Sequence, residues 1–231
     1  MRARPREIEW VLFDSERRDR RINELKALCR ANGVVVRYGP RRALDQAAGA
    51  SHQGAVARLA VRGYAQEEAV LEGAAGRRLL LVLDEVQDPQ NLGAAIRVAE
   101  AIGARVVVPE RGSAPLSEAV ARSSAGAVER VPVARAKNLR RLLDRIKNEG
   151  FRVVGLDPSG RDLFEIDLTG DLALVLGAEG KGMRRLVREG CDELARLPMV
   201  GKVGSLNVST AAAAAGYEAL RQRRAGTEKG S

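Results

Sequence analysis

Three short segments place polar side chains among glycines in a way that suits a ligand with a phosphate. Asn91-Leu-Gly-Ala-Ala-Ile-Arg97 carries an amide and a guanidinium six residues apart. Leu176-Gly-Ala-Glu-Gly-Lys-Gly-Met183 sets Glu179 among Gly177, Gly180 and Gly182. Leu197-Pro-Met-Val-Gly-Lys-Val-Gly-Ser-Leu-Asn-Val-Ser-Thr210 puts two glycines, Ser205 and Asn207 between a short apolar run and an alanine-rich helix. A guanidinium offers five donors in a fork that fits phosphate, and the amides of a helix N-terminus favour anions as well. Three glycines in six residues let a backbone approach a ligand closely. Each segment alone also has a plain reading: a solvated Arg97 three residues before Glu100, a glycine-rich turn with a solvent-facing Glu179, and Ser205 or Asn207 as a helix cap.

These residues need elements to position them. From residue 79 the pattern runs strand 79–83, helix 89–102, strand 105–108, helix 116–123, strand 129–133, helix 139–149 and strand 152–156. It continues as strand 172–176, helix 183–189, strand 193–197 and a helix from 207. Strands alternating with helices predict an α/β fold with a mainly parallel sheet covered on both faces. Asp88-Pro89 opens its helix as N-cap and first helical residue. On that helix Leu92, Ala95, Ile96, Ala99 and Ile102 form the buried stripe, and Arg97 lies off it. The alanine run 211–215 follows from helix propensity and close packing, and the tail 225–231 is expected to fray.

Upstream, strand 9–13, helix 17–30, strand 34–37, helix 40–48 and strand 54–61 form a smaller α/β unit. The expected division is a first domain over 1–65, a linker over 66–78 and a second domain over 79–226.

The chain of 231 residues is 45% hydrophobic, long enough for a full core, and its net charge of +9 favours a polyanionic partner such as nucleic acid. Cys29 and Cys191 are isolated and His52 is the single histidine. Neither a disulfide framework nor a metal site is therefore expected, and a reducing cytoplasm fits. No long apolar stretch follows the basic N-terminus, so neither a signal peptide nor a membrane span is expected. Neither G-x-G-x-x-G nor G-x-x-x-x-G-K-[ST] is matched, which disfavours a Rossmann or P-loop enzyme.

Taken together, the order, spacing and residue types of the three segments resemble the SpoU/TrmH family of RNA ribose 2′-O-methyltransferases. The resemblance implies a deep trefoil knot near the C-terminus, S-adenosylmethionine as cofactor, a homodimer and no metal. It places Asn91, Arg97, Glu179, Ser205 and Asn207 at the catalytic positions, with Arg97 acting across the dimer interface. Leu176, Gly177, Gly180, Leu197, Met199 and Leu206 would surround the cofactor. A ribose hydroxyl is a weak nucleophile, so attack on the sulfonium methyl needs a proton acceptor or stabilisation of alkoxide charge. Arg97 would grip the adjacent phosphate and polarise the hydroxyl, or act as the base. Ser205 and Asn207 would orient the ribose, and Glu179 would order Asn91 or Arg97.

Ser51-His-Gln-Gly54 and Arg20-Arg-Ile-Asn-Glu-Leu25 resemble the L30e-like substrate-binding domain of the bacterial large-subunit rRNA guanosine 2′-O-methyltransferases. This implies RNA contacts at Arg17, Arg20, Arg21, His52 and Gln53, with solvated arginines and a satisfied loop histidine as the plain alternatives. With aromatic residues at 3%, backbone and shape contacts should outweigh base stacking. The leading expectation is methylation of a guanosine in 23S rRNA. A tRNA guanosine 2′-O-methyltransferase and a non-catalytic RNA-binding assembly factor are the alternatives.

Overall fold

The computed structural model describes residues 8–48, 52–59 and 63–228. Contacts divide the chain into two compact units, meeting at residues 62 and 63.

In the first unit, β1 (Ile8–Asp14) pairs in parallel with β2 (Val35–Gly39) and antiparallel with β3 (Ala55–Leu59). Helices α1 (Arg20–Ala31) and α2 (Arg41–Ala48) complete it. Val11 and Phe13 from alternate positions of β1 meet Ile22 and Cys29 of α1 in its core. Helix α1 starts three residues later than the pattern predicts, because the Asp19 side chain accepts the Ile22 N–H and so caps it. Positions 60 and 61 of the expected strand 54–61 lie outside the described residues.

The second unit is built on six parallel strands in the order β6-β5-β4-β8-β7-β9. In chain order these are β4 (Leu79–Leu83), β5 (Arg105–Pro109), β6 (Val133–Ala136), β7 (Arg152–Asp162), β8 (Leu172–Leu176) and β9 (Glu193–Arg196). The helices are α3 (Glu67–Leu71), α4 (Pro89–Ile102), α5 (Glu118–Ser123), α6 (Leu139–Asn148), α7 (Arg185–Arg188) and α8 (Val208–Glu228). Central strands β4 and β8 are buried throughout, which explains their unbroken apolar runs. Leu79, Leu81 and Leu83 face one layer with Ile96, Ala99 and Ala215, while Leu80 and Val82 face the other with Leu143 and Ile146.

Several expectations are corrected. The stretch 66–78, expected as a linker, contains α3, whose Val70 and Leu71 are buried in the second unit's core. Its five residues are too short to show a helical period. The strand expected over 129–133 is a 3-10 turn at Ala127–Glu129. Pro132 has no N–H for a ladder, and β6 begins after it. Helix α8 runs on to Glu228, past the start of the tail expected to fray. The alanine run finds its use in packing: Ala212 and Ala215 are fully buried, and a Cβ on Gly216 would come within 2.4 Å of Ile102 Cδ1 on α4.

Two details organise the far end of the sheet. Ala195 of β9 is partnered by both Leu156 and Arg161, so the register of β7 against β9 shifts between those two residues. A Cβ on Gly160 would stand 2.5 Å from the Leu194 and Ala195 backbone, so only glycine fits that crossing. This irregular pairing of β9 with an earlier strand is compatible with the trefoil knot that the resemblance implies.

At the opposite end, Asp171 accepts from Arg78 N and Arg78 Nη2, each at 2.8 Å. Arg223 of α8 donates to the carbonyls of Arg77, Arg78 and Gly170. Burial works against the Asp171 carboxylate, yet the hydrogen bonds from Arg78 hold its pKa below the usual value. A carboxyl depressed in the folded state stabilises fully above roughly pH 5 and loses that contribution as pH falls through the folded pKa. The Tm gap between wild type and Asp171→Asn should therefore narrow from pH 7 to pH 3. A gap of constant size in thermal scans would refute this account.

Candidate active site

The three segments that the sequence singles out converge at the C-terminal ends of β4, β8 and β9. Ligand sites of parallel α/β sheets commonly lie at this end. The loop after β8 is held by its own glycines. A Cβ on Gly177 would stand 2.0 Å from Gly182 C and 2.1 Å from Met183 N, while Gly180 and Gly182 adopt φ of 77° and 68°. These glycines let the loop fold back on itself, closing with the Gly182 N–H on the Ala178 carbonyl at 2.9 Å. Gly93 likewise serves packing, since a Cβ there would lie 1.9 Å from Ser123 Oγ on α5.

A buried anchor that the motifs did not reveal fixes this loop. Asp84, fully buried at the end of β4, accepts from Arg184 N at 2.8 Å and Arg184 Nε at 2.9 Å. An Asp directly after the apolar run 79–83 was the available signal, because a charge there needs a partner.

Asn207 caps α8: its Oδ1 accepts from Ser209 N at 2.9 Å, and its carbonyl accepts from Ala211 N. Ser209 Oγ also donates to that Oδ1, at 2.7 Å, which fixes the amide's orientation. Its Nδ2 then points to Asn91 Oδ1 at 2.8 Å and to Glu179 Oε2 at 3.4 Å. Asn91 Nδ2 donates to the same Glu179 oxygen, also at 3.4 Å. Capping and site-building are thus two uses of one amide, and Asn91, Glu179 and Asn207 form one cluster.

Beside the cluster opens a cavity of about 810 Å3, a size suited to a cofactor. Leu176, Gly177, Gly180, Leu197, Met199 and Leu206 all line it, as do Glu179 and Ser205. Ser205 is exposed. The wall from β7, Leu156 to Pro158, was not singled out from the sequence.

Arg97 is placed differently. It is exposed, lines neither this cavity nor the smaller one beside it, and makes no hydrogen bond or ion pair among the described residues. Glu100, its neighbour in the plain reading, is instead bound by Arg130 Nη2 at 2.8 Å.

In the first unit, Arg17 donates to the Gln53 carbonyl and to Asp19, each at 2.5 Å, and Arg20 pairs with Glu24 at 2.8 Å. The Arg21 and Gln53 side chains are exposed. The His52 side chain is only 3% exposed. Its Nδ1 accepts the Gly54 N–H at 2.9 Å, so Nε2 carries the proton toward Asp45 Oδ1 at 3.0 Å. One ring nitrogen is thus engaged by the turn and the other by α2.

Comparison with known proteins covers both units. Residues 78–217 match the SpoU rRNA Methylase family, and residues 1–64 match a family described as RNA 2′-O ribose methyltransferase substrate binding. The 23S rRNA (guanosine-2′-O-)-methyltransferase RlmB of Pseudomonas syringae pv. tomato is 44% identical over 230 residues, 97% of this chain and 92% of the relative. Its namesake from Pseudomonas aeruginosa is 43% identical over 228 residues, 96% and 92% of the two chains. The SpoU methyltransferase AviRb from Streptomyces viridochromogenes, crystallised with the cofactor AdoMet, aligns with a TM-score of 0.78 at 26% identity, covering 94% of this chain and 84% of that one. With both units matched, and relatives sharing more than two-fifths of the residues along nearly the whole length, the chain belongs to the SpoU rRNA methylase family.

Proposed function

We propose that the protein methylates the ribose 2′-hydroxyl of a guanosine in 23S rRNA, using S-adenosylmethionine. The observation that carries this reading is the convergence of Asn91, Glu179 and Asn207, from three distant segments, at the rim of the 810 Å3 cavity. The cavity fits the cofactor: Leu176, Leu197 and Leu206 offer apolar walls to a flat heterocycle, and Glu179 supplies a carboxylate to a cation. When bound, S-adenosylmethionine supplies an electrophilic methyl group.

The chain's residues do the rest. Asn207 and Asn91 hold Glu179 at the cavity rim, and Ser205 orients the ribose. Arg97 binds the neighbouring phosphate and polarises the hydroxyl, whose proton leaves to solvent water as the methyl is transferred, since a guanidinium scarcely deprotonates to serve as a base. Because Arg97 lines neither of these two cavities, the reading includes a homodimer in which it reaches the partner's site. Val200 and Val203, on the loop before α8, are 105% and 64% exposed, which supports a covering partner there. Arg20, Arg21 and Gln53 in the first unit contact RNA. A cytoplasmic setting belongs to the same reading, as Cys29 and Cys191 form no disulfide. Among the described residues no helix is long and apolar enough to cross a membrane.

The test is transfer of labelled methyl from S-adenosylmethionine to unmodified rRNA and tRNA pools, followed by mapping of the labelled ribose. Label at one 2′-O position of a 23S guanosine is the expected result. Label confined to tRNA would replace the substrate, and no transfer despite binding of cofactor and RNA would replace the reaction.

A further inference from the structure

A second cavity, of about 290 Å3, adjoins the first and shares Ala178, Glu179 and Lys181 with it. Its other wall is the loop between β4 and α4, with Glu85, Gln87 and Asp88, and Asn91 from the first turn of α4. Three carboxylates against one ammonium line this space, in a chain whose net charge is +9. Such a cavity repels phosphate and selects hydrogen-bond donors.

Guanine presents two adjacent donors, N1–H and the N2 amino group, beside the acceptor O6. Adenine and cytosine carry a ring acceptor where guanine has N1–H, and uracil has one ring donor between two carbonyls. A carboxylate with both oxygens available therefore matches guanine alone, and a nearby cation or amide completes the match at O6.

Glu85 has that carboxylate. Its Oε1 forms an ion pair with Arg184 Nη1 at 3.5 Å, beyond ordinary hydrogen-bond length, and the carboxylate makes no hydrogen bond among the described residues, so both oxygens can accept from a base. Gly112 opposite leaves it room, for a Cβ there would stand 3.1 Å from Glu85 Oε1. Asp88 is already employed, since its Oδ1 caps α4 through the Gln90 N–H at 2.9 Å.

We propose that this second cavity receives the target guanine, with the Glu85 carboxylate accepting from N1–H and the N2 amino group and Lys181 donating to O6. The inference rests on the reading of the chain as a guanosine 2′-O-methyltransferase.

The experiment compares two RNAs: the mapped rRNA segment with its guanosine, and the same segment with inosine, which lacks the N2 amino group. Wild type should favour guanosine by about tenfold or more in kcat/KM. Glu85→Gln puts an amide donor against a donor, so guanosine methylation should fall by a similar factor and the preference should vanish, while S-adenosylmethionine affinity is unchanged. Asp88→Asn, which preserves the cap, should keep the preference.

Equal rates on both RNAs with wild type would overturn the proposal, as would a preference that survives Glu85→Gln or disappears in Asp88→Asn. Should Glu85→Gln fail to fold, Glu85→Asp, which retracts the carboxylate, must still weaken the preference. Absence of any transfer by wild type to the guanosine RNA would instead sink the reading of the reaction itself.

Discussion

Alanine in place of Arg97 should slow methyl transfer by at least about 10²-fold, the scale seen when one preorganised donor to a developing oxyanion is removed. Stability and cofactor affinity should stay at wild-type levels, because Arg97 is exposed and makes no hydrogen bond or ion pair among the described residues. Single-turnover rates with saturating cofactor separate the step from binding. A rate within a fewfold of wild type would remove Arg97 from the chemistry in either role, as phosphate clamp or as base. Mixed dimers test where it acts. If Arg97 serves the partner's site, Arg97→Ala combined with Asn207→Ala assembles one complete site per heterodimer, and activity should return on mixing. No recovery, with heterodimers shown to form, would place Arg97 in its own chain's site.

Gly177→Ala should abolish measurable cofactor binding or weaken it by more than about tenfold, because the added methyl would meet backbone rather than a side chain that can turn away. The loop would have to open at Gly182 and Met183, and with it the cavity wall. Gly180→Ala is the control. A Cβ there meets nothing within 4 Å, and only its φ of 77° is strained, at a cost of about 1–3 kcal/mol. Calorimetric titration with S-adenosylmethionine should rank the two clearly. Equal affinities would mean that the loop after β8 does not shape the cofactor site.

Much of the architecture was legible because burial on both faces leaves a plain mark. The expected limits of β4, β8 and α4 coincide with those observed, since β4 and β8 are apolar throughout and α4 has a capping Asp88 and an αL Gly103 at its ends. Helix α3 and strand β6 were less legible. Val70 and Leu71 reveal their burial only by contact, and Pro132 delays a strand that the preceding valines suggest. The motif residues were found, but packing uses of their glycines were not: Gly93 admits Ser123, and Gly177, which lines the cavity, also admits its own loop.

The alternation of strands and helices, the residue types of the site and the family those types belong to can all be read along the chain. Periodicity, capping and motif spacing are local properties that need no coordinates. Which of those residues meet depends on how the chain folds. Asn91 reaches Glu179 across 88 positions and Asn207 across 116, while Arg97, six residues from Asn91, is turned away. The reason is geometric: a helix rotates residues six apart to different faces, whereas a parallel sheet gathers remote loops at one end.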